Sequence, residues 1–373
     1  MAEKNISQHS LLIISHTPHY LSNDVYFGFG PTVREINELS KVFSKIFHIA
    51  PVSVKAKTDS ELEYNKNVEL VPIDFFGGNT LYKKILVFWV GLKTSIVVLK
   101  YLKKVDYFHF RAPTSIGLLL IPLLSISRKR GWFKFGGNWD TKSSPVTDKI
   151  QKILLNNIFT SRPVTINGSW PNQKSHLITF ENPCLYDYEL AINTNKRYDK
   201  GIRILFVGRL TKAKGFNLFK DLVTKLNSQI NIEKVYIVGS GPINSNLETK
   251  KNLLPVEWYP SLSREQLKSL YKDCHILVLP SEREGFPKVV AEASAFGCVP
   301  IVTDLPAVKQ YINSTNGIVS NFQDLNSVVS QIKTEILQGQ LKEKSINSIK
   351  MANLFTYERY VYRIKNEVLP PVN

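Results

Sequence analysis

The sequence predicts two doubly wound α/β domains, and three observations lead to this fold class. Short apolar runs that end in polar residues or glycine alternate with longer segments of helical periodicity. These runs are apolar throughout, as expected of parallel strands that are buried on both faces. The 373 residues are enough for two domains of ordinary size. Strands and helices in this regular alternation are typical of doubly wound parallel sheets.

The predicted elements follow in order along both halves of the chain. In the first half, we predict strands at Leu11–Ile14, Tyr107–Phe110, Trp132–Phe135, Val164–Ile166 and Leu177–Phe180, and helices at Pro31–Phe47 and Lys84–Lys104. In the second half, we predict strands at Ile202–Val207, Val235–Val238, Val256–Tyr259, Ile276–Leu279 and Pro300–Val302, and helices at Phe216–Asn227, Ser263–Asp273 and Pro287–Phe296. The polar segment Tyr186–Lys200 separates the two series. We therefore expect domains over residues 1–185 and 201–353, a linker over 186–200, and a final helix over 354–373.

The composition suits a soluble globular protein, with 43% hydrophobic and 21% charged residues. The net charge is +17, and the stretch from Lys83 to Lys152 carries 14 Lys and Arg against 3 Asp and Glu. Such a basic region attracts nucleic acid, an anionic membrane surface or phosphorylated substrates. The same count is also expected of ordinary solvated helix faces.

The cysteines, the N-terminus and the apolar windows predict a cytoplasmic protein. The three cysteines are far apart and form no CxxC pair, which fits a reducing compartment. The N-terminus is polar to Ser10, unlike a signal peptide. The most apolar windows, Ile85–Leu92 and Ile116–Leu124, fall short of the roughly 20 residues that a spanning helix needs.

Two strand ends in the second half carry residues suited to a diphosphate. Arg209 follows the strand that ends at Gly208, and Lys214 opens the next helix. Two cations at a crevice mouth, one beside a helix N-terminus, stabilise the charge of a departing nucleoside diphosphate where a metal otherwise would. Gly239 and Gly241, at the end of the next strand, allow close approach of the backbone to a ligand. The alternatives are a solvated basic loop and a turn of purely steric origin.

A third strand end carries two carboxylates. Glu284 lies in the loop after the strand Ile276–Leu279, and Glu292 lies more than one turn inside the helix that follows. Pro287 fits the first helical position and Gly297 fits the C-terminal cap. The two carboxylates can reach different parts of one extended ligand, since carboxylates accept hydrogen bonds from vicinal hydroxyls. A helix-capping acid followed by an ordinary exposed glutamate gives the same spacing.

Taken together, these segments resemble the retaining glycosyltransferases of family 4, which are of the group 1 type. The resemblance covers Ile202–Ser320 and rests on Gly208-Arg209-Leu210 with Lys214-Gly215, on Val238–Pro242, and on Glu284–Glu292. It implies the GT-B fold, in which two Rossmann-like doubly wound domains face each other across a cleft. The N-terminal domain would bind the acceptor, the C-terminal domain would bind the donor, and the final helix would cross back to the N-terminal domain. The resemblance implies no metal and no other cofactor, and the chain has no Asp-x-Asp motif.

The resemblance also implies roles for individual residues. Arg209 and Lys214 would hold the donor diphosphate, Glu284 the sugar and Glu292 the ribose hydroxyls, and Arg209, Lys214 and Glu284 would be catalytic. The full set implied for donor binding is Gly30, Arg209, Lys214, Gly239, Gly241, Glu284, Gly285, Phe286, Pro287, Lys288 and Glu292. Gly30 belongs to a segment that resembles the family's glycine loop, and a flexible turn is the alternative there.

The candidate acceptor contacts are His109, Arg111, Asn138 and Asp140. Many relatives have a second histidine at the position of Arg111. Arginine cannot act as a base at neutral pH, but it can pair with a phosphate or an acceptor carboxylate. His109 is also consistent with a core histidine, and Asn138 and Asp140 with a polar loop that binds no ligand.

We therefore expect a hexosyltransferase-type enzyme in the assembly of cell-surface polysaccharide or lipid-linked glycan. A nucleotide sugar would be the donor, and the hydroxyl of a glycan or lipid-linked acceptor would attack it with retention of configuration. The basic helix Lys84–Lys104 fits an anionic membrane surface, or packing on the sheet. Two alternatives are a GT-B relative with other chemistry, such as a nucleotide-sugar epimerase or a phosphorylase, and a basic nucleic-acid-binding protein, although no motif specific for nucleic acid is present.

Overall fold

The computed structural model describes residues 8–53, 61–77, 81–137, 139, 145–157, 162–191, 196–243 and 255–369. The chain forms two compact units, Met1–Glu181 with Tyr360–Asn373, and Asn182–Arg359. Each unit contains a predominantly parallel sheet with helices between its strands, so the predicted α/β class with two parallel-sheet domains is confirmed.

The first unit is built on parallel strands in the order β10-β9-β8-β7-β1-β4-β6. The strands of this unit are β1 (Ser10–Ile14), β2 (His19–Ser22), β3 (Val25–Phe29), β4 (Lys45–Ser53), β5 (Glu61–Glu63), β6 (Val68–Ile73), β7 (Tyr107–Ala112), β8 (Arg130–Phe135), β9 (Val164–Ile166) and β10 (Leu177–Thr179). Its helices are α1 (Gly30–Leu39), α2 (Leu81–Leu102), α3 (Gly117–Ile126) and α4 (Val146–Asn156). Strand β2 extends the sheet beside β4, and β3 pairs antiparallel with β2 and β5.

The helix predicted at Pro31–Phe47 is wrong in its second half. Helix α1 ends at Leu39, where the Ser40 hydroxyl donates to the Asn37 carbonyl oxygen at 2.8 Å. The chain then enters β4, which pairs with β1 on one side and β6 on the other. Pairing on both edges of β4 outweighs the helical spacing of the apolar residues in this stretch.

Helix α2 is longer and more continuous than the window Ile85–Leu92 indicates. It has 22 residues and continues through Lys93. By length and composition, its window Ile85–Leu102 is the one span among the described residues that could cross a membrane. Only 28% of that window is buried, and seven of its large apolar side chains are exposed.

The second unit is a six-stranded parallel sheet in the order β13-β12-β11-β14-β15-β16. Its strands are β11 (Ile202–Val207), β12 (Ile232–Val238), β13 (Val256–Tyr259), β14 (Ile276–Leu279), β15 (Val299–Thr303) and β16 (Ile318–Ser320). The helices that follow in the chain are α5 (Phe216–Asn227), α6 (Arg264–Asp273), α7 (Lys288–Ala295), α8 (Leu325–Leu337), α9 (Leu341–Ala352) and α10 (Tyr357–Arg363), the last of which belongs to the first unit from Tyr360 onward. Strand order reverses between β11 and β14, and open parallel sheets bind ligands at this point.

Part of the predicted linker is built into the second unit. Glu189 lies 2.6 Å from Arg264 Nη2 and 2.5 Å from Lys268 Nζ. Burial acts to raise the pKa of Glu189, but the hydrogen bonds from Lys268 and from the Tyr186 amide outweigh it and hold that pKa below its usual value. The chain passes from the first unit to the second at residues 181–182, ahead of the predicted position.

The interior of the first unit contains a buried carboxylate that accepts hydrogen bonds from side chains of three described residues. Glu35 is 1% exposed and accepts from Arg111 Nη1 at 2.7 Å, from Lys134 Nζ at 2.7 Å and from the Tyr360 hydroxyl at 3.0 Å. Burial acts to lower the pKa of Arg111, and the Glu35 carboxylate outweighs it and raises that pKa. Through Tyr360, this network includes the last described segment of the chain.

Replacing Glu35 by glutamine should destabilise the first unit strongly, because Arg111 and Lys134 would lose the charge that balances them. We expect a loss of about 3 kcal/mol in the free energy of unfolding, measured by urea denaturation. The control is Glu69→Gln, whose pair with Lys45 at 2.9 Å is exposed to solvent and should contribute less than about 1 kcal/mol. Equal losses in the two variants would contradict a special role for the buried network.

Candidate functional site

The carboxyl ends of β11, β12 and β14 are packed closely at two glycines. A Cβ atom on Gly239 would lie 1.9 Å from the Gly208 carbonyl oxygen, and one on Gly215 would lie 1.8 Å from the Pro280 carbonyl oxygen. Both glycines have positive φ, +145° and +70°. No other residue type fits these positions. The strand ends that flank the reversal of strand order are therefore held against one another.

Arg209 and Lys214 lie on the segment that leaves β11. Arg209 is exposed at the tip of the strand, and Lys214 ends the 3-10 turn Lys212–Lys214 before α5. Lys214 Nζ contacts the Glu284 carboxylate, which belongs to the loop after β14. The lysine predicted to bind diphosphate and the glutamate predicted to bind sugar are thus direct partners. The Lys214 side chain is 33% exposed, so it remains accessible to a ligand.

The loop after β14 leads into α7, one residue later than predicted. Pro287 is the N-cap, so its prediction as the first helical residue is wrong, and Lys288 takes that position. The predicted termination is close, because Gly297 has a φ of +74° immediately after the C-cap. In the first turn of α7, the Val290 amide donates to the Pro287 carbonyl oxygen at 2.9 Å, and the N-terminal end of a helix favours an anion. Gly285 lies in the same loop, half-buried.

Two predicted donor residues use their side chains for packing. The Phe286 ring stacks on Phe355 at 4.4 Å and meets Tyr311 at 4.8 Å. Lys288 Nζ donates to the Pro183 carbonyl oxygen at 2.9 Å. Both side chains therefore have partners within the second unit.

Glu292 is oriented by residues that the sequence analysis did not assign. Its carboxylate lies 3.6 Å from Arg264 Nη1 and accepts from the Tyr271 hydroxyl at 3.3 Å, and its side chain is 21% exposed. Burial acts to lower the pKa of Arg264, but the Glu292 and Glu189 carboxylates outweigh it and raise that pKa. The capping box of Ser263 and Gln266 begins α6 and places Arg264 at its first position.

A cavity of about 570 Å³ lies beside Arg209 at the ends of β11, β12 and β13. We call it the strand-tip cavity. It is lined by Val207, Gly208, Arg209, Val238, Gly239, Ser240, Gly241, Pro260, Ser261, Leu262 and Leu267. Backbone and apolar atoms line most of it, with Arg209 as its cation, so it suits a flat ring attached to an anion. Gly239 and Gly241 thus lie where the sequence analysis places them, at a ligand-sized cavity.

In the first unit, the candidate residues are placed differently. Arg111 lines a cavity of about 470 Å³ together with His16 and Lys134, but its guanidinium is already bound to Glu35. His109 is fully buried and stacks on Trp132 at 4.3 Å. This burial contradicts a direct acceptor contact by His109, because it faces inward from β7.

The remaining candidates of the first unit add little to the site. Gly30 is the buried first residue of α1. Asn138 and Asp140 lie outside the described residues.

Residues 187–351 match the family model described as glycosyl transferases, group 1. The match spans a little under half of the chain, and this part is similar to group 1 glycosyltransferases. Arg209, Lys214, Glu284 and Glu292 all lie inside the match.

The chain is also similar to curated proteins and to solved structures. The chain is 25% identical over 200 residues to the capsular polysaccharide biosynthesis glycosyltransferase CapM of Staphylococcus aureus, covering 52% of this chain and 51% of that protein. Sucrose-phosphate synthase from Thermosynechococcus elongatus superposes with a TM-score of 0.71 at 15% identity, over 96% of this chain and 97% of that chain. Anabaena HepE in complex with UDP superposes with a TM-score of 0.62 at 12% identity, over 95% and 98%.

These comparisons differ in what they establish. The structural neighbours share the GT-B fold at low sequence identity, which confirms the predicted fold type and nothing beyond it. The chain spans about half the length of the curated relatives it matches first.

Replacing Gly239 by alanine should disrupt the packed strand ends, because its Cβ would overlap the Gly208 carbonyl oxygen. We expect a loss of about 3 kcal/mol in the free energy of unfolding. The matched control is Gly339→Ala, which also has a positive φ (+69°) but has open space around the added carbon and should cost about 1 kcal/mol. Urea denaturation measures both, and equal losses would show that close approach of the strand ends does not matter.

Proposed function

We propose that this protein transfers a sugar, with retention of configuration, from a nucleotide diphosphate sugar to an acceptor hydroxyl. The observation that carries the proposal is the contact of Lys214 with Glu284 at the reversal of strand order, next to Arg209 and the strand-tip cavity. One edge of one sheet thus offers two cations for a phosphate, a carboxylate for sugar hydroxyls and a cavity for a ring. The HepE structure is a complex with UDP, which supports this class of donor.

Each part of the donor has a matching partner at this edge. The base fits the strand-tip cavity, and the ribose hydroxyls fit Glu292, which Arg264 and Tyr271 hold in place. The diphosphate would lie between Arg209, Lys214 and the N-terminus of α7. An ammonium group has three N–H donors, so Lys214 can bind a phosphate oxygen while one donor remains on Glu284. Glu284 then lies within reach of the sugar.

The proposed reaction needs no side chain that bonds to the sugar. The bond between the anomeric carbon and the diphosphate oxygen breaks, and the acceptor oxygen bonds to the same face of the ring. The departing phosphate takes the proton of the acceptor hydroxyl. Arg209 and Lys214 stabilise the charge that grows on the phosphate, so we propose that they replace a metal in this role. Glu284 is engaged by Lys214, which favours a binding role for it over attack on the sugar.

We also propose that the enzyme works at the cytoplasmic face of a membrane, on a lipid-linked or otherwise anionic glycan. Helix α2 exposes a set of large apolar side chains: Ile85, Leu86, Phe88, Trp89, Leu92, Ile96 and Leu99. Exposed lysines accompany them, namely Lys93, Lys100, Lys103 and Lys104. An apolar face with a basic border favours the surface of an anionic bilayer. The similarity to CapM, a capsular polysaccharide biosynthesis glycosyltransferase, supports a role in surface glycan assembly.

The separate roles proposed for Lys214 and Glu292 are testable once a screen of UDP-, GDP- and ADP-sugars has identified a donor. Lys214→Met should lower kcat about 100-fold, because its charge acts mainly on the departing diphosphate. Glu292→Gln should leave kcat within about threefold and weaken binding of the free nucleoside diphosphate about tenfold, because it contacts the ribose. Steady-state kinetics and calorimetry measure the two effects. Glu265→Gln, on the exposed side of α6, is the control.

Two results would contradict this proposal. One is unchanged turnover in Lys214→Met, and the other is conversion of the donor without any acceptor into an epimer, which would indicate an epimerase. The anomeric configuration of the product, read by NMR, decides between retention and inversion.

Binding to membranes is testable by sedimentation with vesicles. The protein should sediment with phosphatidylglycerol vesicles at low salt and much less with phosphatidylcholine vesicles, because both charge and apolar contact are needed. Trp89→Glu with Ile96→Glu should release it, since both side chains are more than half exposed. Ile126→Glu, at a more exposed apolar site on α3, should have no effect. Retention of the α2 variant would show that α2 is not the contact surface.

A further inference from the structure

Helix α6 connects the strand-tip cavity to the carboxylate proposed for the ribose. Leu267 lines the cavity, and two other residues of α6, Arg264 and Tyr271, contact Glu292 of α7. Leu267 is one turn after Arg264 and one turn before Tyr271, so the three side chains lie on one face of the helix. A nucleoside with its base in the cavity therefore has its ribose close to Arg264 as well as to Glu292.

The guanidinium group of Arg264 is fixed through one of its two terminal nitrogens. Nη2 donates to the Glu189 carboxylate at 2.6 Å and to the Cys184 carbonyl oxygen at 2.8 Å, which uses both of its N–H groups. Glu189 is held in turn, because its side chain is 2% exposed and accepts from the Tyr186 amide at 2.8 Å. Since the guanidinium group is planar and rigid, these contacts also set the direction of Nη1.

Nη1 of Arg264 and Oε1 of Glu292 face each other across 3.6 Å. Within the described residues, neither atom takes part in a hydrogen bond, because Glu292 accepts from Tyr271 through its other oxygen, Oε2. The Arg264 and Glu292 side chains are both 21% exposed, so a ligand can reach them. A charged donor beside a charged acceptor suits a hydroxyl group, because a hydroxyl can accept from one and donate to the other at the same time.

From this arrangement we propose that Arg264 is a specificity-determining residue, which recognises the ribose diol of a ribonucleoside diphosphate together with Glu292. One ribose hydroxyl accepts from Nη1 of Arg264 and donates to Oε1 of Glu292, and the second hydroxyl donates to the same carboxylate. The site then requires both hydroxyls, because a deoxynucleotide leaves a charged donor or acceptor without its partner. This inference rests on the proposed donor, and it adds a requirement that the transfer reaction alone does not impose.

Calorimetry with the full chain tests this requirement. UDP, GDP and ADP are the probes, and the one that binds most tightly is compared with its 2′-deoxy and 3′-deoxy forms. We expect each deoxy form to bind about tenfold more weakly than the parent nucleotide. In Arg264→Gln, this loss should fall to about threefold for one deoxy form and stay at about tenfold for the other, because only one hydroxyl contacts the guanidinium group. Lys272→Gln changes an exposed basic residue in the last turn of α6 and should retain both losses.

Arg264→Lys separates recognition of the ribose from folding. Its single ammonium group can stay with the buried Glu189 carboxylate, but it has no second nitrogen to face Glu292. We expect it to lose the same discrimination as Arg264→Gln while it keeps more of the wild-type stability to urea.

Three outcomes would overturn the inference. The first is equal binding of the deoxy forms and the parent nucleotide by the wild-type protein. The second is an equal weakening of all three forms in both Arg264 variants, which would mean that Arg264 only supports the fold. The third, no binding of UDP, GDP or ADP, would contradict the proposed donor and this inference with it.

Discussion

The close approach of strand ends in the second unit is the constraint on which its chemistry depends. Where Gly239 meets the Gly208 carbonyl and Gly215 meets the Pro280 carbonyl, there is no room for a side chain. The segments that leave β11 and β14 are therefore forced together at the reversal of strand order. This packing brings Lys214 to Glu284, although they are 70 positions apart in the chain. Backbone sterics thus place the charged groups.

The protein uses carboxylate–cation contacts in two environments with different consequences. Glu35 is 1% exposed and is enclosed by two cations and a phenol, so water and ligands cannot replace its partners. Lys214 and Glu284 are 33% and 12% exposed, which leaves unused donors and acceptors facing the edge of the sheet. Arg111 was expected to bind an acceptor anion, and its engagement with Glu35 explains why residue type alone is a poor guide to such a role.

The second unit was more predictable from the sequence than the first. Strands β11, β13 and β14 and helix α5 have the predicted bounds because buried parallel strands are continuously apolar and turn residues mark their ends. The hairpin of β2 and β3 was not predicted, because its strands are only half-buried and mix polar with apolar residues. The part of Arg264 in orienting Glu292 could not be predicted either. This orientation depends on a tertiary contact between α6 and α7. The sequence shows only the capping box at Ser263, which predicts where α6 begins.

The segment Tyr360–Leu369 completes the interior of the first unit. Tyr360, Ile364, Val368 and Leu369 belong to the same apolar cluster as Leu11 and Ile36, and the bond from Tyr360 to Glu35 joins residues 325 positions apart. During synthesis from the N-terminus, this interior therefore stays unfinished until residues 360–369 have been made. Domains generally fold in the order of their synthesis, but here the second unit can be complete before the first. A fragment that stops after residue 181 would lack part of its own core.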